Sequence, residues 1–250
     1  MRRRRSVLVL AIGAALVQAW SPGLAGEVRK YRGNAYDLQT DKFVYSENHA
    51  EHYEGGKHVY SIVTYRDPDE KTMCRKVIVF RKSRTAPDFR LDDRRSGYVE
   101  GALAQGDRTK LLTREDAESP MRTKLVDVPE PAVIDGGFDY FIREHWDELV
   151  DQGKTVRFHF VVAHKLDHVR FTVAKTGEKV VEGVRCAEFK LAVAGFFAGL
   201  FVDPIYVAYD LDRHRLMEYR GTSNIGGPND RNYRARIVFT YPWLKDAQKP

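Results

Sequence analysis

PAVIDGGFDYFIREHWDELVDQGK, residues 131 to 154, is the one long stretch of this 250-residue chain with a helical period. Phe138, Phe141, Ile142, His145, Trp146, Leu149 and Val150 recur at spacings of three and four, which gathers them into a broad apolar stripe. Arg143, Glu144, Asp147, Glu148 and Asp151 fall largely on the opposite side. The spacing predicts a helix near residues 134–152, capped at its start by Asp135 or Asp139 and ended at Gly153, which tolerates the left-handed conformation. Such a stripe has to be buried, and the sequence on either side offers only sheet to bury it against.

Downstream, Val156, Phe158, Phe160 and Val162 alternate at a strict period of two, the pattern of a half-buried strand. Upstream, strands are expected over 29–38, 43–53, 58–66 and 71–82. They are joined by Glu54-Gly55-Gly56-Lys57 and by Asp67-Pro68-Asp69-Glu70, where Pro68 pre-sets the turn. Residues 84–97, rich in Asp and Arg around Pro87, are expected to form a polar connection. Thr176-Gly177-Glu178 reads as a turn between strands at 169–174 and 180–193. Strands joined by short turns pair with their sequence neighbours, and so wide a meander has to curl. The expected fold is mainly β (α+β): a single domain over residues 26–250, a long, strongly curved antiparallel meander, half-barrel or barrel, packed on one amphipathic helix.

Residues 1–25 read as a cleaved signal peptide. Arg2 to Arg5 form a positive start, Val7 to Val17 an apolar run too short to span a bilayer comfortably, and Gly23 and Ala25 the small residues before a cut at Gly26. The strongly apolar run favours the general secretion route, although Arg4-Arg5-Ser6-Val7-Leu8 is faintly like a twin-arginine signal. The expected location is therefore the periplasm or the cell exterior, with no transmembrane segment in the mature chain. The full chain carries +6, and four arginines leave with the peptide, so the mature chain carries 6 − 4 = +2. That argues against a nucleic-acid partner, and the basic stretch from Arg75 to Arg95 is diluted by Asp88, Asp92 and Asp93. Cys74 and Cys186 both fall in predicted strands; a disulfide and two free thiols are equally open.

Several segments carry a resemblance: Gly33-Asn34-Ala35-Tyr36-Asp37-Leu38, Ala86-Pro87-Asp88-Phe89, Gly97-Tyr98-Val99-Glu100-Gly101, VIDGGFD at 133–139 and YRGTSNI at 219–225. Together they are similar to an uncharacterised family of exported bacterial proteins, over nearly all the mature chain. That family brings no established activity. In layout the chain also resembles the periplasmic lipoprotein-carrier and lipoprotein-receptor half-barrels. This resemblance implies a curved sheet with helices across its mouth and an apolar cavity for acyl chains.

No catalytic signature is present in the sequence: no nucleophile elbow, zincin helix, CxxC or phosphate-cradling loop. No cofactor and no metal is expected. His49 and His52, three apart in a strand, point to opposite faces; His164 and His168 flank a turn beside Asp167. Asp135, Asp139, Arg143 and His145 form the densest polar group, which capping and an intrahelical ion pair explain and which acid–base chemistry would require to be buried. Phe138, Phe141, Trp146, Phe158 and Phe160 are expected to face the inside of the curved sheet, and Phe197 and Phe201 of Gly195–Val202 (GFFAGLFV) to finish its core or rim a cavity. The expected function is non-enzymatic binding of an apolar or amphipathic ligand, a lipid, acyl chain or lipoprotein. The alternatives are an envelope enzyme centred on that polar group and an interaction module holding an envelope protein partner.

Overall fold

The structure is a computed structural model and describes residues 26–195, 203–228 and 231–243. Eight strands come first: β1 (Glu27–Asp37), β2 (Phe43–Glu54), β3 (Lys57–Arg66), β4 (Thr72–Val79), β5 (Asp88–Asp93), β6 (Val99–Gln105), β7 (Arg108–Arg114) and β8 (Arg122–Val126). A two-residue strand, β9 (Ala132–Val133), leads into helix α1 (Gly137–Glu144) and a π-helical turn at Asp147–Asp151. Six strands follow: β10 (Val156–Val162), β11 (Asp167–Val181), β12 (Val184–Val193), β13 (Ile205–Asp210), β14 (Leu216–Gly226) and β15 (Asn232–Thr240). Among the described residues no helix is long and apolar enough to cross a membrane.

All fifteen described strands belong to one sheet, ordered β8 back to β1, then β15 back to β9. Sequence neighbours pair antiparallel except the two-residue β9, which runs parallel to β10, and the two halves are joined where β1 meets β15 with Gly33 opposite Phe239. Glycine is required there, because a Cβ at 33 would lie 2.7 Å from the Phe239 ring. Pairing of β8 with β9 would close the barrel; instead the edges are held by side chains. Ala163 and Leu166, in and after a short 3-10 turn, join Val161 in one apolar cluster with Ala102, Leu111 and Val126 from β6, β7 and β8. The expected large curved antiparallel sheet with one helix is thus the fold, with packing in place of hydrogen bonds at the seam.

The helix stripe packs as its spacing predicts. Phe141, Ile142, Trp146 and Leu149 are buried against Phe158, Val173, Phe189 and Tyr209 of β10 to β13. Each such side chain contributes about 1.5–3 kcal/mol on burial, so this cluster fixes the helix to one wall of the roll. The opposite, polar side of the helix faces inward toward β1 to β4.

Four expectations need correction. The α-helical segment is shorter than 134–152: the chain leaves α-geometry at His145 and continues as the π turn, before Gly153 at φ +61° ends it. Its cap is Gly136 with no side-chain bond, because Asp135 is taken up by the buried Lys76 of β4, which needs a counter-charge more than the helix end needs a cap. Residues 88–93 are a strand, not a polar connection. Phe89 and Leu91 point inward while Arg90 and Asp92 pair with each other outside, so tertiary pairing between β4 and β6 overrides the poor strand propensity of Asp. Finally, Thr176-Gly177 is a bulge inside a continuous β11, and the turn falls at Glu182-Gly183.

Candidate functional site: a cavity between helix and sheet

Between the polar side of α1 and the concave face of the sheet lies a cavity of about 920 Å³. Strand alternation builds its walls, since every second residue of a strand points inward. β2 contributes Glu47, His49, Glu51 and Tyr53, β13 contributes Ile205, Val207 and Tyr209, and β15 contributes Ile237 and Phe239, with Tyr241 just beyond it. The cavity reaches the surface near Arg29 and Glu115, whose side chains are 36% and 74% exposed. Aromatic rings form much of the wall; Tyr31 stacks between His49 at 4.3 Å and Tyr241 at 4.8 Å.

Charge is arranged in two groups along the helix. At its start, Lys76 Nζ lies 2.9 Å from Asp135 Oδ1, and both side chains are about nine-tenths buried. Burial alone would make Lys76 easier to deprotonate, but Asp135 and then Glu47 outweigh it and hold the ammonium charged. Glu100 of β6 sits in the same group. Its Oε2 accepts a hydrogen bond from the Tyr98 hydroxyl at 3.0 Å, and its Oε1 one from Asn224 Nδ2 at 3.4 Å. Burial, followed by the charge of Asp135, pushes the Glu100 carboxyl up to about 7, against the opposing effect of Tyr98, Lys76 and Asn224. His164 Nδ1 stands 3.9 Å from Glu100, and burial lowers its pKa, so at neutral pH it leaves Glu100 uncompensated.

Two turns further along the helix, about 12 Å at 1.5 Å per residue, arginines dominate. Arg143 pairs with Asp139; the two side chains are about a third exposed, and both line the cavity. Burial raises the Asp139 carboxyl, with Arg143 opposing. Arg84 and Arg143 both lie on the Tyr140 ring, at 5.4 and 4.6 Å from its centre, and Arg215 lies 5.4 Å from Tyr241. His58 is bracketed by the Tyr140 hydroxyl at 2.9 Å and Ser61 Oγ at 2.8 Å. Burial pushes its pKa down to about 4, so the ring is neutral.

Of the residues singled out from sequence, Phe138 and Phe160 line the cavity, while Phe141, Trp146 and Phe158 lie in the core between helix and sheet. Phe197 and Phe201 lie outside the described residues, as do residues 1–25. The structure brings Asp135, Asp139 and Arg143 to the cavity but not His145, whose Nδ1 is 3.0 Å from the Phe141 carbonyl. His164 and His168 are kept apart, the second facing His159 at 3.1 Å. Cys74 and Cys186 are buried free thiols. Lys76, Glu100, Asn224, Arg84 and Arg215 were not apparent from spacing, because they converge from four separate segments. The inward series Glu47, His49, Glu51 and Tyr53 was readable, since polar residues at every second position of a central strand announce a polar interior.

No family model matches the chain, and no curated protein is significantly similar to it. Two solved structures are similar to it at a low level. One is a beta-barrel-like protein of a domain of unknown function, DUF1849, from Brucella abortus; it is 8% identical, with a TM-score of 0.40, over 87% of this chain and 98% of its own. The other is a DUF1329 family protein from Desulfovibrio piger, 12% identical, TM-score 0.23, over 86% and 85% of the two chains. Neither likeness bears on what this chain binds.

Proposed function

We propose that this protein binds an amphipathic ligand of the lipid, acyl-chain or lipoprotein class in the helix–sheet cavity, without turning it over chemically. It does so in the periplasm or outside the cell, after export through residues 1–25. The observation that carries this reading is the cavity itself. About 920 Å³ falls within the span of small-molecule sites, and its wall combines aromatic rings with buried charged groups. A purely apolar ligand would leave those charges facing hydrocarbon, at a cost of several kcal/mol each; an amphipathic one matches both kinds of surface. The test is native mass spectrometry of protein purified from its own envelope, with parallel organic extraction and titration with a fluorescent fatty-acid probe. A co-purifying lipid and saturable probe binding are expected. No extracted lipid and no probe binding would sink the proposal.

One observation favours a second reading, an envelope enzyme. Glu100 and Asp135 share the Asn224 amide, at 3.4 and 3.5 Å, and burial pushes the Glu100 carboxyl up to about 7; paired carboxyls in unlike settings are what acid–base catalysts use. It differs from the first in outcome: a bound envelope lipid would come back chemically altered from the wild type and intact from Glu100→Gln.

A further inference from the structure

We infer that the arginine end of the cavity is an anion subsite, which seats the carboxylate or phosphate of an amphipathic ligand while its apolar part runs along Tyr31, Phe239 and Val207. The inference rests on the binding reading above and adds the chemistry of the headgroup and the direction in which the ligand lies.

Three guanidiniums line this end: Arg84 from the connection after β4, Arg143 from α1 and Arg215 from the start of β14. Only Arg143 of the three has a carboxylate partner among the described residues, Asp139. Among the described residues, Arg84 and Arg215 have none within ion-pair distance and rest instead on Tyr140, Tyr241 and Trp243. Stacking holds a guanidinium in plane but leaves its N–H fork unsatisfied, and a carboxylate or phosphate fits that fork with two hydrogen bonds.

A second group points the same way. The Tyr209 hydroxyl is fully buried, lines the cavity and has no hydrogen-bond partner among the described residues. Asp139 is an acceptor within its reach, short of a well-formed hydrogen bond, and Arg143 lies beside that carboxylate. A buried hydroxyl without a well-formed hydrogen bond is costly, and an oxyanion among the arginines accepts that proton.

The opposite pole fixes the orientation. Glu47, Glu100 and Asp135 surround Lys76, so carboxylates outnumber cations three to one there. An anion is repelled from the helix start and attracted to its second turn.

The experiment compares three probes on the full mature chain: palmitate, hexadecanol (the same chain without charge) and inorganic phosphate. Each is tested by calorimetry and by displacement of a fluorescent fatty acid, against wild type, Arg84→Gln/Arg215→Gln and Tyr209→Phe. The expected result is that palmitate binds more tightly than hexadecanol, and that the double variant loses roughly ten- to hundredfold of palmitate affinity with hexadecanol unchanged. Tyr209→Phe removes a hydroxyl that has no well-formed hydrogen bond, so it should fold about as stably as wild type while weakening palmitate alone. Equal binding of palmitate and hexadecanol, untouched by either variant, overturns the anion subsite and leaves the binding reading standing. No binding of either chain defeats the binding reading itself. Phosphate that binds as tightly as palmitate supports the subsite and assigns it to a free oxyanion, overturning the lipid source.

Discussion

Replacing Glu100 by glutamine isolates the cavity's electrostatic burden, because the amide keeps an acceptor for Tyr98 and removes only the charge. The carboxyl is 5% exposed, and it titrates near 7 where the unstrained value is 4.5. The rise from 4.5 to about 7, at about 1.4 kcal/mol per pH unit, gives about 3.5 kcal/mol as an upper bound. The sign follows from proton affinity. The folded chain holds this proton more tightly than the unfolded chain, so the Glu100 contribution is full below pH 4.5 and is lost as pH rises through about 7. Above pH 8 the wild type carries an ionised carboxylate beside Asp135, with Lys76 shared between them and His164 neutral. Glu100→Gln should therefore match wild type at pH 5 and exceed it by about 2–3 kcal/mol at pH 8.5. Urea denaturation of both proteins at pH 5, 7 and 8.5 measures this directly. A difference that stays constant across the three pH values, or a wild type that is the more stable at 8.5, would refute the reasoning.

The other predictions also concern the cavity and its supports. Lys76→Met strands a buried Asp135 and should cost about 3–5 kcal/mol, most of it recovered in Lys76→Met/Asp135→Asn; equilibrium denaturation of the three proteins reads the recovery. Gly137→Ala, normally worth about 1 kcal/mol to a helix, should instead destabilise by at least 1–3 kcal/mol, because its methyl group would collide with the Thr85 carbonyl; thermal unfolding gives the sign. Cys74 and Cys186, with thiols pushed by burial up to about 12 and about 11, should resist a thiol reagent at pH 8 in the native protein and react together once it unfolds.

How far the sequence carried the fold depends on which signal each element sends. The helix stripe holds in the structure, and the segment Val156–Val162 is a strand as its alternation predicts, although the alternation lapses at its end, where Val161 is buried and Phe160 and Val162 are half-buried. Asp88–Asp93 failed because aspartate disfavours strands in isolation, while here Arg90 and Asp92 sit on the outer face and only Phe89 and Leu91 meet the interior. Gly177 failed because a glycine between polar residues signals a turn or a bulge with equal force, and only the partner strand decides between them. For the site, Asp135, Asp139 and Arg143 were visible as a cluster along one helix. Lys76 and Glu100 were not, since nothing local marks a lysine in β4 as the partner of an aspartate 59 residues later.

Strand number explains why a cavity is present at all. A closed barrel of about eight strands is just filled by its own inward side chains, and larger barrels enclose free space. Fifteen strands, even with an open seam, enclose more than one short helix occupies. The helix fills the side where it meets β10 to β13, and the inward residues there are Phe158, Phe189, Leu191 and Val207. On the β1 to β4 side it makes mainly polar contacts, Lys76 to Asp135 and His58 to Tyr140, and the inward residues become Glu47, His49 and Glu51. Charged side chains cost several kcal/mol each in a dry core, so their appearance at inward strand positions marks where packing ends and space open to polar matter begins. The change from apolar to charged inward residues around the sheet therefore marks the polar wall of the cavity, at Glu47, His49 and Glu51, opposite an apolar wall at Val207, Ile237 and Phe239.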